Sequence, residues 1–372
     1  MFLKQLKVFS FRNLKNAEIE FHPSINLITG NNGQGKSNLI EAIHVVSSTK
    51  TFRSVQQRDL IQWGGEGFSV FGTVSFNNEA SAELSSVPIG VSVEGKTKRV
   101  FLDDEPTRAV SEYLKVFPVV AFVPRDVDLV YGTPSGRRRF VDRYCSLVSP
   151  SYLNSLTAYQ KVIRSKNALL KSIGGVDAKQ LQTLNELVAE HGARITVFRS
   201  EFFRELTPHF SELYHAFANE DGEVNIIGEE SFTSKGAAER SFDEYLRVLN
   251  ELSGSEKERR TTLVGPHLDD FQVTLAERSA RQFASQGQAR STVLSLLLGL
   301  SRIIEEKLQV VPSILLDDFS SELDSGRMRR FFELLSDMPC QVFITGTDLS
   351  EGVFGSKESA LFTVQDGEIT AL

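Results

Sequence analysis

The sequence has few cysteines and no long run of apolar residues. Cys145 and Cys340 are its only cysteines. Two are too few for a disulfide framework, and they lack the C-x-x-C spacing of a metal or redox site. The longest apolar run, residues 293–300, is broken by Ser295 and Gly299 and is far shorter than the roughly 18 residues that cross a bilayer. The first residues carry cations without the apolar stretch of a secretory signal. We therefore expect a cytoplasmic protein with no membrane partner.

Excess basic charge is also lacking. Lys and Arg together number 41, against 48 Asp and Glu, which gives a net charge of −7. This balance argues against a protein that coats nucleic acid through its overall charge, although a local basic patch would still bind phosphates. The chain has 372 residues, of which 41% are hydrophobic. It is therefore long enough for two or three folded domains at roughly 100–200 residues each.

A phosphate-binding motif is present near the start of the sequence. Residues 30–37 read G-N-N-G-Q-G-K-S and fit G-x-x-x-x-G-K-[ST], in which the glycines let backbone N–H groups point at phosphate oxygens. Residues 25–29 predict the preceding strand, and residues 37–46 predict the following amphipathic helix. Lys36 would neutralise the β- and γ-phosphates, and Ser37 would bind Mg²⁺. The residues predicted to bind ATP here are Gly30, Asn31, Asn32, Gly33, Gln34, Gly35, Lys36, Ser37 and Asn38.

A second apolar segment ends in two aspartates. Residues 314–316 predict a buried strand, and Asp317 and Asp318 follow directly. Asp317 would hold Mg²⁺ together with Ser37, and Asp318 would orient or deprotonate the attacking water. Because Lys36 and Asp317 lie near opposite ends of the sequence, we expect a large insertion to divide one nucleotide-binding domain into two halves.

Further motifs resemble those of ABC-type ATPases. Residues 317–324, D-D-F-S-S-E-L-D, are similar to a Walker B and D-loop run, which assigns Asp324 to the nucleotide. Residues 344–348 follow the next predicted strand, where such ATPases carry a switch residue. Thr347 is our choice for that catalytic position, and Thr345 is close enough to compete.

Residues 285–288, S-Q-G-Q, resemble a signature motif. In an ABC head this motif faces the phosphate loop of a second subunit, so Ser285, Gly287 and Gln288 would contact the ATP of the opposite chain. The serine would donate to the γ-phosphate, helped by the N-terminus of the following helix. The alternative is that this segment is an ordinary helix N-cap.

The finer resemblance is to the RecF family of bacterial recombination-repair ATPases. Residues 124–142 look like its first signature, residues 265–270 (G-P-H-L-D-D) and S-Q-G-Q look like its later blocks, and F-R-N-L around Arg12 is similar to its opening. The resemblance covers the whole chain and makes Arg12 a candidate adenine contact. Arg125 stands where the family usually has an acidic residue, Thr133 where a smaller one is typical, and Leu268 where a basic one is usual.

The resemblance implies an α/β fold of the ABC-type ATPase head, with mixed sheets and helices, split by an inserted and mainly helical arm domain. The N-terminal half of the head would span residues 1–133 and contain the phosphate loop. The arm would span residues 134–260. The C-terminal half, residues 261–372, would contain the signature, Walker B and D-loop motifs.

The resemblance also implies a function in recombinational repair and replication restart. The protein would be a DNA-stimulated ATPase that uses ATP and Mg²⁺. It would act as an ATP-dependent homodimeric clamp at gaps and single-strand/double-strand junctions, with RecR and RecO as partners, to help load the recombinase RecA. Asp318 stands where most ABC ATPases have Glu, so we expect slow hydrolysis.

Three other functions compete with this interpretation. An SMC/Rad50-like protein that bridges DNA would need a heptad arm of hundreds of residues, and only a short arm fits here. An ATP-gated nuclease would need an additional cluster of carboxylates. A transporter ATPase is disfavoured because S-Q-G-Q replaces the usual L-S-G-G-Q.

Residues 134–171 concentrate cations within an acidic protein and are candidates for contact with the DNA backbone. The alternatives are that the arginines at 137–139 make internal contacts, or that the cluster pairs with the acidic stretch 220–244 or forms a solvated helix face. The DNA candidates are Arg137, Arg138, Arg139, Arg143, Lys161 and Arg164, with Lys166 and Lys171 in the same cluster.

Two segments nearby have simpler interpretations. His267 beside Asp269 and Asp270 suggests a metal site, but a structural turn explains the same residues. Residues 219–260 predict loops and a short helix, in which E-K-E-R-R at 256–260 would be a solvated helix face.

Overall fold

The computed structural model describes residues 1–53, 56–77, 84–172, 175–218, 222–236, 238–319, 325–347 and 358–372. The chain divides into two compact units. The head unit comprises Met1–Asp126, His215–Asn219 and Arg290–Leu372, and the arm unit comprises Val127–Tyr214 and Glu220–Ala289.

The strands in chain order are β1 (Phe2–Phe9), β2 (Ala17–Glu20), β3 (Ile25–Thr29), β4 (Gly67–Asn77), β5 (Leu84–Glu94), β6 (Thr97–Leu102), β7 (Glu105–Pro106), β8 (Val119–Phe122), β9 (Val224–Glu229), β10 (Asp270–Leu275), β11 (Arg278–Ser279), β12 (Ser313–Leu316), β13 (Val342–Thr345), β14 (Ser359–Gln365) and β15 (Glu368–Ala371). The helices are α1 (Lys36–Ser48), α2 (Val110–Val116), α3 (Asp128–Tyr131), α4 (Pro134–Val148), α5 (Pro150–Leu170), α6 (Ala178–Ala218), α7 (Phe242–Arg259), α8 (Ala280–Phe283), α9 (Gln286–Leu308) and α10 (Ser325–Ser336).

A mostly parallel sheet forms one layer of the head unit. Its strand order is β15-β14-β3-β13-β12-β8, and only β15 runs antiparallel to its neighbour. Strands β8, β12 and β13 are buried along their whole length, as expected for parallel strands covered on both faces. Since parallel strands end at the same edge, the loops after β3, β12 and β13 meet there, and these are the loops that carry the predicted nucleotide residues.

A second sheet of the head unit is antiparallel, with the order β2-β1-β4-β5-β6-β7. Leu6 of β1, Val70 of β4, Ile43 of α1 and Phe343 of β13 belong to one buried cluster. Helix α1 therefore shares a core with both sheets, and this packing fixes the helix that begins at Lys36.

The arm unit is mainly helical and also contains a small antiparallel sheet with the order β11-β10-β9. Its limits differ from the predicted boundaries, because residues 127–133 and 261–289 group with the arm unit. The physical reason is strand pairing: Asp270 of β10 lies opposite Glu229 of β9 in an antiparallel register.

The stretch 219–260 is also more regular than predicted. It contains the strand β9 and the 18-residue helix α7, where the sequence suggested loops and a short helix. In the part of the chain that the structure describes, no helix combines the length and apolarity needed to cross a bilayer.

Candidate nucleotide-binding site

The phosphate loop joins the end of β3 to the start of α1. The amides of Asn38 and Leu39 donate to the Gly35 carbonyl at 2.9 and 3.0 Å, which closes the first turn of the helix. Gly30 has a φ of 140°, and a Cβ at this position would lie 2.3 Å from the Val364 carbonyl oxygen. Only glycine therefore fits at the entrance to the loop, and the loop leads into the N-terminus of α1, the end of a helix that favours anions.

Lys36 lies over this loop. Its ammonium group donates hydrogen bonds to the carbonyls of Gly30 and Asn31 at 2.6 and 3.0 Å, and its side chain is largely buried. The ammonium is thus held beside the loop amides, where it could exchange these carbonyl oxygens for phosphate oxygens.

Ser37 and Asp317, the two predicted metal ligands, are in contact. The Ser37 hydroxyl forms a hydrogen bond with the Asp317 carboxylate, and Asp317 follows β12, two strands away from β3 in the sheet. A hydroxyl and a carboxylate are hard oxygen donors of the kind that suits Mg²⁺. The residues that the structure describes contain no cluster of three or more His, Cys, Asp or Glu side chains that could hold a metal without a nucleotide. The pair fits an ion that also takes phosphate oxygens as ligands.

Asp317 is buried, and this burial raises the pKa of its carboxyl group above the ordinary value. Hydrogen bonds from Ser37 and Thr345, together with the charge of Arg53, oppose the shift but do not cancel it. A desolvated carboxylate of this kind gains more from a bound cation than a solvated one does.

Thr345, at the end of β13, connects the two aspartates. Its hydroxyl donates to the Asp317 carboxylate at 2.8 Å and accepts the backbone N–H of Asp318 at 2.8 Å. Asp318 is half-buried and has a φ of 49°, a left-handed conformation in which non-glycine residues are uncommon. Thr347 is exposed two residues further on. Asp324 lies outside the described residues.

Arg12 is bound to a buried carboxylate beside the loop. Its guanidinium donates to both Glu41 oxygens at 3.0 and 3.1 Å, and Glu41 is fully buried on α1. Arg53 lies 3.4 Å from the same carboxylate and donates to the Asn38 side chain at 3.1 Å. Neither Glu41 nor Arg53 belongs to a motif, so sequence reasoning missed both.

The signature segment begins α9. The Ser285 side chain accepts the amide of Gln288 at 3.2 Å, and the Gln288 side chain accepts the amide of Ser285 at 2.9 Å. This reciprocal arrangement is a capping box with Ser285 as the N-cap of α9, and such a cap is compatible with a signature motif. Ser285 is also exposed, whereas Gly287 is half-buried. Exposure leaves the serine accessible to a second chain.

The cationic cluster separates into internal and external members. Arg137 is buried and makes a bidentate ion pair with Asp270, with both hydrogen bonds at 2.7 Å. Lys166 is fully buried 2.8 Å from Glu256, which is also fully buried. Arg137 therefore ties α4 to β10.

The prediction of E-K-E-R-R as a solvated face is wrong at Glu256, because that carboxylate is the partner of a buried lysine.

Three of the predicted DNA contacts do come together. Arg138, Arg139 and Arg164 line one pocket of about 500 Å³ in the arm unit, with Tyr159 and His267 in its wall. Arg139 and Arg164 are exposed, and the structure places Lys161 on the exposed part of the same helix as Arg164. Arg143 is half-buried on α4 and is not part of this pocket.

The His267 segment has the bonds of a structural turn. Tyr159 and His267 share a hydrogen bond of 2.7 Å, Asp269 lies 3.6 Å from Arg199, and Asp270 binds Arg137. Burial and the charges of Arg138 and Lys166 lower the pKa of His267 to about 4. The imidazole is therefore neutral near pH 7, and each side chain has its own internal partner.

Comparison with known proteins agrees with this architecture. Residues 2–370 match the family described as RecF/RecN/SMC N-terminal domain. The chain is 32% identical to the DNA replication and repair protein RecF of Macrococcus caseolyticus, over the full length of both proteins. It is 33% identical to the corresponding protein of Bacillus cereus, with 94% of this chain and 92% of the relative covered.

Solved structures show the same relationship. The recombination mediator protein RecF of the RecFOR pathway, bound to ATP, matches with a TM-score of 0.89 at 31% identity, covering 100% of this chain and 97% of that one. An Smc head bound to the winged-helix domain of ScpA matches with a TM-score of 0.56 at 17% identity, covering 100% and 98%, and shows a common fold. The predicted ABC-type ATPase head is thereby confirmed, and the chain belongs to the RecF family.

Proposed function

We propose that this chain is a DNA-dependent ATPase of recombinational repair and replication restart. The observation that carries the proposal is the convergence of Lys36, Ser37, Asp317 and Asp318 at one edge of the parallel sheet. The relatives are named as DNA replication and repair proteins, and solved structures of the family were determined with ATP. ATP and Mg²⁺ are accordingly the proposed cofactors, and the proposed location is the cytoplasm.

The residues of the site divide the work of hydrolysis. The loop amides of residues 30–37 and the Lys36 ammonium would bind the β- and γ-phosphates, and Ser37 and Asp317 would hold Mg²⁺. The ion would neutralise developing charge on the phosphates. Asp318 would orient the attacking water, and the hydrogen bond from its amide to Thr345 fixes the backbone that carries it.

We propose that hydrolysis is slow. Aspartate has a shorter side chain than the glutamate usual in ABC ATPases, so the Asp318 carboxylate reaches less far from its fixed backbone. A slow step suits an ATP-held state that lasts long enough to act as a timer. Thr347 remains our proposal for the switch residue, since its exposure would let it respond to the γ-phosphate in an assembled site.

ATP would join two copies of the chain. The exposed Ser285 at the N-terminus of α9 would donate to a γ-phosphate bound by the second copy, with Gly287 and Gln288 shaping the turn. Hydrolysis would remove the charge that holds the copies together. Asp324 is proposed to contribute to the same interface.

DNA contact is proposed for the arm pocket and its surroundings. Arg138, Arg139 and Arg164 would contact backbone phosphates. Arg143 on α4 and Lys161 on α5 would extend this surface. Arg137 and Lys166 have internal partners, so they are not proposed to contact DNA. We further propose gapped or junction DNA as the substrate, RecR and RecO as partners, in keeping with the RecFOR pathway of the matching structures, and RecA as the protein loaded downstream.

The test is ATP hydrolysis by wild type and Lys36→Met, each with and without gapped duplex DNA. We expect slow wild-type turnover that DNA stimulates, and no turnover in the variant. Light scattering of Asp318→Asn with saturating ATP should show a dimer. Hydrolysis indifferent to DNA, together with a monomer under these conditions, would contradict the proposed clamp and leave only a nucleotide-binding head.

A further inference from the structure

The turn between β14 and β15 lies directly against the phosphate loop. The amide of Gly367 donates to the Gln34 carbonyl at 3.0 Å, and the amide of Asp366 donates to the Gln34 side-chain oxygen. One residue of the loop is therefore held through both its backbone and its side chain by two consecutive amides of a turn from the far end of the sequence.

Gly367 is also packed against the segment that follows β1. The amide of Lys15 donates to the Gly367 carbonyl at 2.8 Å, and a Cβ at Gly367 would lie 2.0 Å from the Asn13 carbonyl oxygen. The Asn13 side chain in turn donates to the Gly33 carbonyl at 3.4 Å. The turn thus sits between the phosphate loop and residues 13–15, and no larger residue fits at position 367.

The strand leading into this turn supports the loop at its two ends. The Val364 carbonyl oxygen would lie 2.3 Å from a Cβ at Gly30, and a Val364 side-chain carbon would lie 3.4 Å from a Cβ at Gly35. Together with the two bonds to Gln34, these contacts reach the start, the middle and the end of the loop. All of them come from residues 364–367.

We propose that the β14–β15 turn is a positioning element for the phosphate loop, and that Gly367 and Gln34 are its positioning residues. A concave array of N–H groups receives phosphate well only if the loop already has the bound shape, because otherwise ordering the loop weakens binding. The turn supplies that order by holding the carbonyl side of the loop. This inference rests on the proposed nucleotide binding and adds residues 364–367, which lie outside the phosphate loop, to the residues that shape the site.

The central variant is Gly367→Ala, and the chain offers a matched control. Gly95 is likewise a glycine of positive φ, in the β5–β6 hairpin of the same unit, but a Cβ there would meet no atom within 4 Å. Gly367 has a φ of 76° and Gly95 a φ of 55°, so both alanines place a side chain in a left-handed backbone. Only the alanine at 367 also collides with Asn13.

Affinity for a fluorescent ATP analogue with Mg²⁺ is the first measurement. We expect Gly367→Ala to weaken binding at least tenfold and Gly95→Ala to stay within twofold of wild type. Gln34→Ala, which keeps the backbone and removes only the acceptor for the Asp366 amide, should weaken binding by an intermediate factor. Wild-type affinity in both Gly367→Ala and Gln34→Ala would overturn the inference.

Hydrogen exchange of the nucleotide-free protein separates this inference from the proposed function. Gly367→Ala should speed exchange in peptides covering residues 13–16 and 30–36, while Gly95→Ala should leave those peptides unchanged. If wild type binds no ATP analogue but Gly367→Ala still speeds exchange in these peptides, the proposed function fails and the positioning role of the turn stands. If folded Gly367→Ala exchanges at the wild-type rate in these peptides, the positioning role of the turn is refuted, even if wild type binds ATP tightly.

Discussion

The Thr345 hydroxyl donates to the Asp317 carboxylate across 2.8 Å, from one parallel strand to the next. The same oxygen accepts the amide of Asp318. One buried side chain on β13 thus positions the proposed metal ligand and the proposed water-orienting residue together, and neither aspartate can shift without breaking a bond to it.

Replacing Thr345 by valine should lower the rate of hydrolysis more than it lowers affinity for nucleotide. The variant leaves the partly buried amide of Asp318 without its acceptor, which costs up to about 1–3 kcal/mol, and frees Asp318 to move. We expect a fall in kcat of roughly 5- to 150-fold, the rate equivalent of that energy. Thr345→Ser keeps the hydroxyl and is the control. Equal kcat values for the valine and serine variants would show that the bridge has no role in hydrolysis.

Asp317→Asn should stabilise the nucleotide-free protein near neutral pH while abolishing hydrolysis. The carboxyl pKa is raised in the folded state because of burial, so the folded protein holds this proton more tightly than the unfolded chain. The stability that the protonated Asp317 carboxyl group contributes is therefore lost as pH rises through its folded-state pKa. We expect a higher Tm for the variant than for wild type at pH 7, with the difference shrinking toward pH 4. If the difference in Tm between variant and wild type is the same from pH 7 to pH 4, ionisation of Asp317 is not what destabilises the wild type at neutral pH.

The buried pair of Lys166 and Glu256 should be sensitive to the loss of either member. Burial lowers the pKa of Lys166, and Glu256 opposes that shift. Lys166→Met leaves an uncompensated buried carboxylate and should cost about 3–5 kcal/mol in free energy of unfolding. The double variant Lys166→Met/Glu256→Leu should recover most of that loss. Urea unfolding of wild type, Lys166→Met and the double variant measures these free energies. If the double variant is no more stable than Lys166→Met, the two side chains are not coupled.

Arg137 and Arg139 should differ in what they control, although they are two positions apart on α4. Arg137→Ala leaves Asp270 without its ion-pair partner and should destabilise the protein by about 3–5 kcal/mol. Arg139 is exposed, so Arg139→Ala should change stability by less than about 0.5 kcal/mol. It should instead weaken DNA binding and reduce the slope of log K against log salt by about one. A salt slope unchanged in Arg139→Ala would remove this arginine from the proposed DNA surface.

The residues best predicted from sequence are those set by local patterns. The phosphate loop needs two glycines and a lysine at fixed spacing, and the apolar strand before Asp317 marks the place of that aspartate in a parallel sheet. These features depend only on neighbours along the chain. The family assignment rests on several such motifs, and it is confirmed over the whole length of the chain.

The features that were missed depend on partners far away in sequence. Nothing near Lys166 indicates that Glu256 will be its counterion, and nothing near Gln34 indicates Gly367. Thr345 acquires its role only because β13 lies beside β12 in the sheet. The grouping of residues 261–289 with the arm unit has the same origin, since the pairing of β10 with β9 joins segments that no periodicity connects.

The position of β14 has a consequence for biosynthesis. The phosphate loop is translated before β13 and β14, yet β3 lies between these two strands in the sheet. A nascent chain that has not yet reached β13 therefore carries the loop without the strands on either side of it. Contacts of such high sequence separation also form slowly. We therefore expect the loop to become competent for nucleotide only after β14 has been synthesised, and a product that ends before residue 359 should lack a working site.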